Sequence, residues 1–313
     1  MSYRLKPSEP LDAAVRRLSR GQIGRKRAAP LRGAAAATWV HETRKSLKRL
    51  RALLRLVRFG LAKKDWRGAN DDLRDIGRRL SALRERDVLP RSIVALRLIV
   101  APDEAAALDR LAAHLGEAPH PNGRKRPSVR LTEVSKALQA ADDHLARLDL
   151  TGSSRKILAD GLAATHRAGQ RALAIARADA TDDAMHDLRK VVQIHWRQMQ
   201  LLELGWPEML RVRIATSKDL AQFLGEHHDL AMIVPAARAA EKAGLAAADV
   251  AHIEEACRRA QAAIEARALP SVARLFAADP QAFAVEVIAY WDLADTSSET
   301  PPRHKKKVKT DVD

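Results

Sequence analysis

Residues 41–58 read HETRKSLKRLRALLRLVR, and this stretch decides how the chain is interpreted. It holds seven Lys or Arg residues and a single acid, Glu42, while its leucines recur with the spacing of a packed helix. Like charges at i,i+4 cost ~0.2–0.5 kcal/mol per pair, and a helix under selection for solubility alone would interleave acids. The crowded positive charge therefore calls for a partner.

A helical wheel at about 100° per residue separates this stretch into two arcs. The basic stripe consists of His41, Arg44, Lys48, Arg51, Arg55 and Arg58. The apolar arc beside it consists of Val40, Thr43, Leu47, Leu50, Leu54, Val57 and Leu61, with Leu53 and Leu56 on the far side. We expect the basic stripe to line a groove between helices, where a polyanion relieves the repulsion. An ordinary solvated face is the alternative.

The composition of the whole chain agrees with a helical, anion-binding protein. Its 313 residues include 55 Lys or Arg against 39 Asp or Glu, which gives a net charge of +16 and a pI near 10.4. Such a charge favours nucleic acid, an anionic membrane or polyphosphate as partner. Apolar residues recur at helical spacing and alternating strand patterns are hard to find, so the predicted fold class is all-α.

Compartment and cofactor signals are sparse. Cys257 is the sole cysteine, so no intrachain disulfide is expected, and the N-terminal residues lack the apolar core of a signal peptide. No stretch approaches the ~20 apolar residues of a membrane span. These features predict a cytoplasmic protein without a membrane segment.

The predicted helices are separated by short segments that contain Pro or Gly. They cover 9–20, 32–60, 66–98, 103–115, 128–148, 153–177, 182–205, 207–243, 247–267 and 270–293, with a kink or break expected at LPRS, residues 89–92. The segment 116–130 holds three Pro and two Gly and is predicted to be an exposed loop between two halves. The basic tail, residues 294–313, is predicted to be disordered.

The basic stretch has a second copy. WVHETRKSLKRLRALL and AMHDLRKVVQIHWRQM share His, an acid, Arg and Lys at the same relative positions, and His41 and His186 lie 145 residues apart. Asp87 in LSALRERDVL and Asp229 in LGEHHDL, each in an acidic cluster downstream of its copy, lie 142 residues apart. The matching offsets predict a duplicated helical unit.

The second copy is less basic than the first. Gln193 and Trp196 stand where Lys48 and Arg51 stood, and His195 falls on the apolar side, where we expect a core histidine. Arg167 and Arg171, at i,i+4 ahead of the second copy, are candidates to extend the cationic surface. The site is therefore expected to be asymmetric and stronger on the first copy.

Signals for catalysis or metal binding are weak. The chain has no G-x-x-x-x-G-K-[ST] loop, no G-x-S-x-G and no nucleophile placed beside a base. His227 and His228 are adjacent and would point about 100° apart on a helix, so they cannot easily share one ion with Asp229. We expect a binding protein without cofactor or metal, and not an enzyme.

Together the two His-x-x-Arg-Lys copies, RLRALLRL, RERDVL, LGEHHDL and ATHRAGQRALAIAR resemble the CHAD family, the conserved histidine α-helical domain, over residues 8–293. The resemblance implies two four-helix-bundle halves, about 8–148 and 150–293, related by pseudo-twofold symmetry. It also implies a central cavity or groove, lined by basic residues and histidines, that binds inorganic polyphosphate or phosphate and sulfate ions in its place.

Matched onto this chain, the family pattern points to His41, Arg44, Lys48, Arg49, Arg51, His186, Arg189 and Lys190. Our reading of the residue pattern adds Lys45, Arg55, Arg167, Arg171 and Arg197 to this predicted binding set. Arg49 lies off the basic stripe. Polyphosphate granules and their proteins are the expected surroundings, while a nucleic-acid-binding protein and a helical adaptor for a protein partner are the alternatives.

Overall fold

A computed structural model describes residues 3–26, 33–81, 85–117 and 131–296, and within these ranges the chain is helical with no strand. The α-helices are α1 (Leu11–Ile23), α2 (Gly33–Val57), α3 (Lys63–Ser81), α4 (Glu85–Arg97), α5 (Pro102–Glu117), α6 (Leu131–Ala146), α7 (Ser154–Ala178), α8 (Asp182–Leu202), α9 (Pro207–Ala231), α10 (Ile233–Glu241), α11 (Ala247–Leu275) and α12 (Pro280–Thr296). The predicted all-α class is confirmed.

Several helix boundaries differ from the prediction. The predicted helix 66–98 is two helices, α3 and α4, and α4 runs through Pro90 instead of breaking there. The predicted helix 207–243 is divided into α9 and α10 at Met232. Pro235 explains this division, because its ring would clash with the carbonyl of residue 231 in a continuous helix.

A predicted break before Pro270 is wrong. Helix α11 continues through this proline to Leu275, although proline removes one hydrogen bond from a helix interior. Ala268, Val272 and Leu275 are all buried on either side of the proline. Tertiary packing of this face therefore outweighs the local penalty.

The buried residues form three hydrophobic cores. The first joins α1, α2, α3 and α6 with α12 and the end of α8, and includes Leu50, Leu73 and Ile288. The second joins α4, α5 and α10 with the start of α11, and the third joins α7, α8 and α9 with the end of α11. Helices from both sides of residue 150 share the first two cores, so the division into two bundle halves stays a prediction.

Helix α2 lies at the centre of this arrangement. It packs against α1, α3, α7 and α8. Helix α7 comes close enough at Gly161 that a Cβ there would collide with the backbone carbonyl of Leu56. The absence of a side chain at this glycine thus lets α7 press directly on α2.

Candidate functional site

The burial pattern of α2 separates charge from core completely. Between Thr43 and Val57, each residue that keeps partial solvent contact is a cation, and all other residues are buried. These half-buried residues, here called the α2 cations, are Arg44, Lys45, Lys48, Arg49, Arg51 and Arg55. The predicted apolar arc is confirmed as core, because all seven of its members are buried.

Two members of the basic stripe reach towards α3. Arg44 donates through Nη1 to Ser81 Oγ at 2.6 Å and to the carbonyl of Gly77 at 3.4 Å. Arg51 donates through Nε to Asn70 Oδ1 at 3.2 Å. All three acceptors are neutral, so these hydrogen bonds orient the guanidinium groups without cancelling their charge.

The middle of the stripe is an environment of positive charge. Burial lowers the pKa of Arg51. The positive charges of Arg74 and Arg78 act in the same direction, and the negative charge of Asp71 acts in the opposite one. Burial also lowers the pKa of Arg55, helped by Arg51 and Arg58. Within the described residues, neither Arg51 nor Arg55 makes an ion pair with a carboxylate.

The carboxylates of α3 are occupied by arginines of the same helix. Asp71 lies 3.3 Å from Arg74, and Asp75 lies 3.5 Å from Arg78. Because these acids pair within α3, they give Arg51 and Arg55 little compensation.

The N-terminal end of the stripe is more exposed and partly neutralised. The His41 side chain is 62% exposed and its Nε2 lies 3.9 Å from Glu42. Lys45 Nζ donates to Glu42 at 3.0 Å, and this hydrogen bond holds the pKa of Glu42 below its usual value. The strongest uncompensated charge therefore lies further along α2, towards Arg51 and Arg55.

The second copy, on α8 and α9, is built differently. The ring of His186 stacks on His228 with centroids 4.2 Å apart. Burial lowers the pKa of His186 to about 4, assisted by His228, Lys190 and Arg189. Lys190 is exposed and pairs with Asp187 at 2.7 Å. Sequence reasoning did not foresee the contribution of His228, although the neighbouring LGEHHDL motif contains it.

Both copies place an arginine beside a glycine of the following helix. Arg44 contacts Gly77 on α3, and the Arg189 guanidinium lies so close to Gly225 on α9 that a Cβ there would be 3.1 Å from Nη2. The two glycines are 148 residues apart. This spacing resembles the 145-residue offset of the histidines and could have identified the pair.

The four remaining residues of the predicted binding set lie away from the basic stripe, in two separate pairs. Arg49 and Arg197 lie near each other, where α2 and α8 meet the N-terminal residues. Arg167 and Arg171 are exposed on α7, and with the described residues neither makes a hydrogen bond or an ion pair. The structure therefore gives no contact that joins this α7 pair to the stripe.

The expectation that His195 is a core histidine is confirmed. It is fully buried, and its Nε2 accepts a hydrogen bond from Arg213 Nε at 3.0 Å. Burial lowers the pKa of His195 well below its ordinary value, and the charge of Arg213 adds to this effect. The ring is thus neutral and packs inside the protein.

A cleft of about 450 Å³ opens between α3 and α6. It is lined by Asp65, Asp72, His144 and Arg147, with His144 Nδ1 2.7 Å from Asp72. None of the predicted binding residues lies in it, so it is not the predicted central basic cavity, which stays a prediction.

Other predictions concern features beyond the site. The side chain of Asp87 and residues 297–313 of the tail lie outside the described part of the chain. Among the residues that are described, no group of three or more His, Cys, Asp or Glu is placed to hold a metal ion. The helices described here include none with the length and apolar character needed to cross a membrane.

The chain is similar to known CHAD domains in both sequence and structure. The sequence matches the family model of the CHAD domain over residues 18–238. The structure resembles the crystal structure of the CHAD domain from the plant Ricinus communis with a TM-score of 0.57 and 17% sequence identity, covering 89% of this chain and 95% of that chain. No curated protein sequence matches this chain.

Proposed function

This chain belongs to the CHAD domain family, and from that premise we propose that it binds inorganic polyphosphate along the basic stripe of α2. The observation that carries the proposal is the burial pattern between Thr43 and Val57, where all partly exposed residues are cations. Arg51 and Arg55 lose hydration by burial and are repelled by neighbouring cations, so their positions are unfavourable unless an anion joins them.

The shape of the stripe favours a linear anion. Arg44, Lys48, Arg51 and Arg55 follow one another at intervals of three and four residues, and at ~1.5 Å per residue they span roughly 16 Å along α2. A polyphosphate chain carries about one negative charge per phosphate and is flexible enough to follow such a row, whereas a single phosphate or sulfate would engage only part of it. Guanidinium forks suit phosphate oxygens because they donate in pairs.

The same geometry disfavours duplex nucleic acid. Reading a duplex through a helix requires that helix to enter a groove, and α2 is packed against four neighbouring helices. Its cations are half-buried instead of projecting from the surface. A narrow, flexible polyanion can reach them more easily than a rigid double helix.

We propose a binding role without catalysis. Burial raises the pKa of the Cys257 thiol to about 12, so this thiol is a poor nucleophile at neutral pH. His195 is neutral and enclosed by Arg213 and Phe283. Association with polyphosphate granules and their proteins would follow from the same affinity.

The proposal is tested by titrating the full chain with long-chain polyphosphate, duplex DNA and single-stranded RNA at matched salt, with fluorescence anisotropy as readout. We expect polyphosphate to bind most tightly, to be displaced poorly by either nucleic acid, and to lose affinity steeply as salt rises. Equal or tighter binding of a nucleic acid would favour the nucleic-acid-binding alternative and contradict the proposal.

A truncation after Asp295 separates the helical domain from the basic tail. The truncated chain should keep nearly all of its polyphosphate affinity, because the stripe lies on α2. Loss of most of the binding would locate the site in the tail instead.

A further inference from the structure

Arg197 on α8 carries a buried guanidinium that makes no hydrogen bond with the described residues. The residue is 5% exposed, and its Nε is buried and unsatisfied. With the residues the structure describes, its side chain makes no ion pair, and its Cζ lies 4.5 Å from the centroid of the Trp196 ring. Burying a charged group in this way is costly unless an opposite charge or hydrogen-bond acceptors compensate.

A second arginine, Arg49 on α2, lies close to it. Arg49 donates through Nη1 to Gln22 at 3.3 Å, its Cζ lies 5.4 Å from the centre of the Tyr3 ring, and its Nε is also buried and unsatisfied. The Tyr3 hydroxyl donates to the backbone carbonyl of Arg49 at 2.5 Å. The ring of Tyr3 thus closes one side of this cluster.

The cluster is rich in positive charge. Burial, with a smaller contribution from the nearby charge of Arg49, lowers the pKa of Arg197 to about 10, and Tyr3 acts in the opposite direction. Even so, the guanidinium is protonated at neutral pH. Two cations therefore lie near each other, and no described carboxylate is bonded to either.

This cluster is separate from the basic stripe. Arg49 lies about 140° around α2 from Arg44 at 100° per residue. Arg44 and Arg51 bond to α3, whereas Arg49 bonds to α1. Arg197 also has no counterpart in the first copy, because the 145-residue offset places Ala52 there. The internal duplication therefore does not account for it.

We propose that Arg49 and Arg197 form a second, buried site that takes one phosphate group. Two guanidinium groups with unsatisfied Nε–H donors match the oxygens of a tetrahedral oxyanion, and the Trp196 and Tyr3 rings shield the group from water. The phosphate can be free orthophosphate or the terminal group of a chain. The inference stands independently of the polyphosphate site on the basic stripe.

The test compares the thermal unfolding of three full-length proteins in increasing orthophosphate, at constant ionic strength maintained with chloride. The unfolding temperature of the wild-type protein should rise with phosphate concentration and then level off. Arg197→Met removes the guanidinium but keeps an apolar stem, so it should fold and should bind orthophosphate at least tenfold more weakly. Arg177→Met, at an exposed position of α7 that belongs to neither site, should keep the wild-type phosphate response.

A conservative variant guards against a fold defect. Arg197→Lys keeps the charge but not the fork, so it should retain a saturable phosphate response with weaker affinity. The inference is overturned if wild type gains no stability from orthophosphate beyond that from chloride, or if Arg197→Met responds like wild type. Either result leaves the basic stripe untouched, because that site is measured by the effect of Arg51→Met on binding of long-chain polyphosphate.

A final experiment, which measures binding of long-chain polyphosphate to Arg197→Met, distinguishes free phosphate from the end of a chain. If Arg197→Met loses the orthophosphate response but keeps its affinity for the long chain, the site holds free phosphate. If it loses about tenfold in long-chain affinity as well, the site holds the end of a chain. Both results support a phosphate site at Arg49 and Arg197.

Discussion

Helices α2 and α8 carry the two copies of one repeated segment, yet they present different surfaces. Between Thr43 and Val57, six positions of α2 keep solvent contact and all six are Arg or Lys. In the equivalent span of α8, residues 188–202, seven positions keep solvent contact, and Arg189 and Lys190 are the cations among them. Both helices bury an apolar arc and, apart from the buried Arg197, the difference in charge lies in the partly exposed positions.

The replacements in α8 remove charge one position at a time. Relative to Lys48, Arg49, Arg51 and Arg55, the second copy has Gln193, Ile194, Trp196 and Gln200. His41 is exposed, whereas His186 is half-buried against His228. The comparison indicates that a packed helix of this kind does not itself need six cations, which is consistent with our proposal that those of α2 serve a ligand.

The largest expected effect comes from removing charge from one copy at a time. We expect Arg44→Ala, Lys48→Ala and Arg51→Ala together to weaken polyphosphate binding by at least ~100-fold, because each lost charge-assisted contact is worth ~1.5–3 kcal/mol. Arg189→Ala with Lys190→Ala should weaken it by about tenfold or less. Binding isotherms at one salt concentration compare the two.

A charge-matched control makes this comparison specific. Arg177, Lys218 and Lys242 are exposed and belong to neither copy of the repeat. Changing all three to Ala removes the same net charge as the stripe triple variant and should cost a few-fold in affinity at most. Equal losses in the two triple variants would show that binding depends on net charge and not on the stripe.

The half-buried His186 should make the stability of the protein fall at low pH. Burial holds the pKa of His186 at about 4, against an ordinary value near 6.5. Below pH 6.5 the unfolded chain takes up a proton that the folded chain refuses, so stability is complete above pH 6.5 and is lost as pH falls towards 4. His195, His166 and His228 act in the same direction.

Replacing His186 separates its contribution to this loss of stability from those of the other histidines. His186→Phe keeps a ring on His228, so the loss of unfolding free energy between pH 6.5 and pH 4 should shrink by about 1–2 kcal/mol after solvent screening of a half-exposed group. The wild-type protein at the same two pH values is the reference. Denaturant titrations at the two pH values measure both, and an unchanged loss in His186→Phe would contradict this account.

Sequence reasoning reached the helical class, the buried arc of α2 and the core position of His195 because each follows from the 3.6-residue period of a single helix. It could not place residues that become neighbours through tertiary contacts. The stacking of His186 on His228 and the meeting of Arg49 with Arg197 join different helices. Pro270 was misread for a related reason, since the packing that carries α11 through it is not a local property.

Returning charge to the second copy should strengthen binding modestly. Gln193 is half-buried and stands where Lys48 stands in the first copy. Gln193→Lys should raise polyphosphate affinity about three- to fivefold and steepen the slope of log K against log salt by nearly one unit, as one added phosphate contact requires. An affinity and salt slope equal to wild type would mean that α8 does not face the ligand.

The smallest expected difference concerns the paired glycines. A Cβ on Gly77 has its nearest neighbour, Leu47 Cδ1, at 4.0 Å, so Gly77→Ala should stabilise α3 by ~0.5–1 kcal/mol. A Cβ on Gly225 meets the Arg189 guanidinium at 3.1 Å, so Gly225→Ala should gain less because that group must shift. Thermal unfolding of both variants ranks them, and a larger gain at Gly225 would contradict the close approach of Arg189.

Arg55 is the residue at which a role of the half-buried α2 cations in binding a polyanion can be separated from a role in the fold. Arg55→Met keeps the buried stem but removes a guanidinium whose pKa is lowered by burial and by Arg51 and Arg58. We predict that the free protein unfolds at the same or a higher temperature, while its polyphosphate affinity falls about five- to tenfold. A lower unfolding temperature together with wild-type affinity would show that Arg55 serves the fold, and would contradict a role in binding the polyanion.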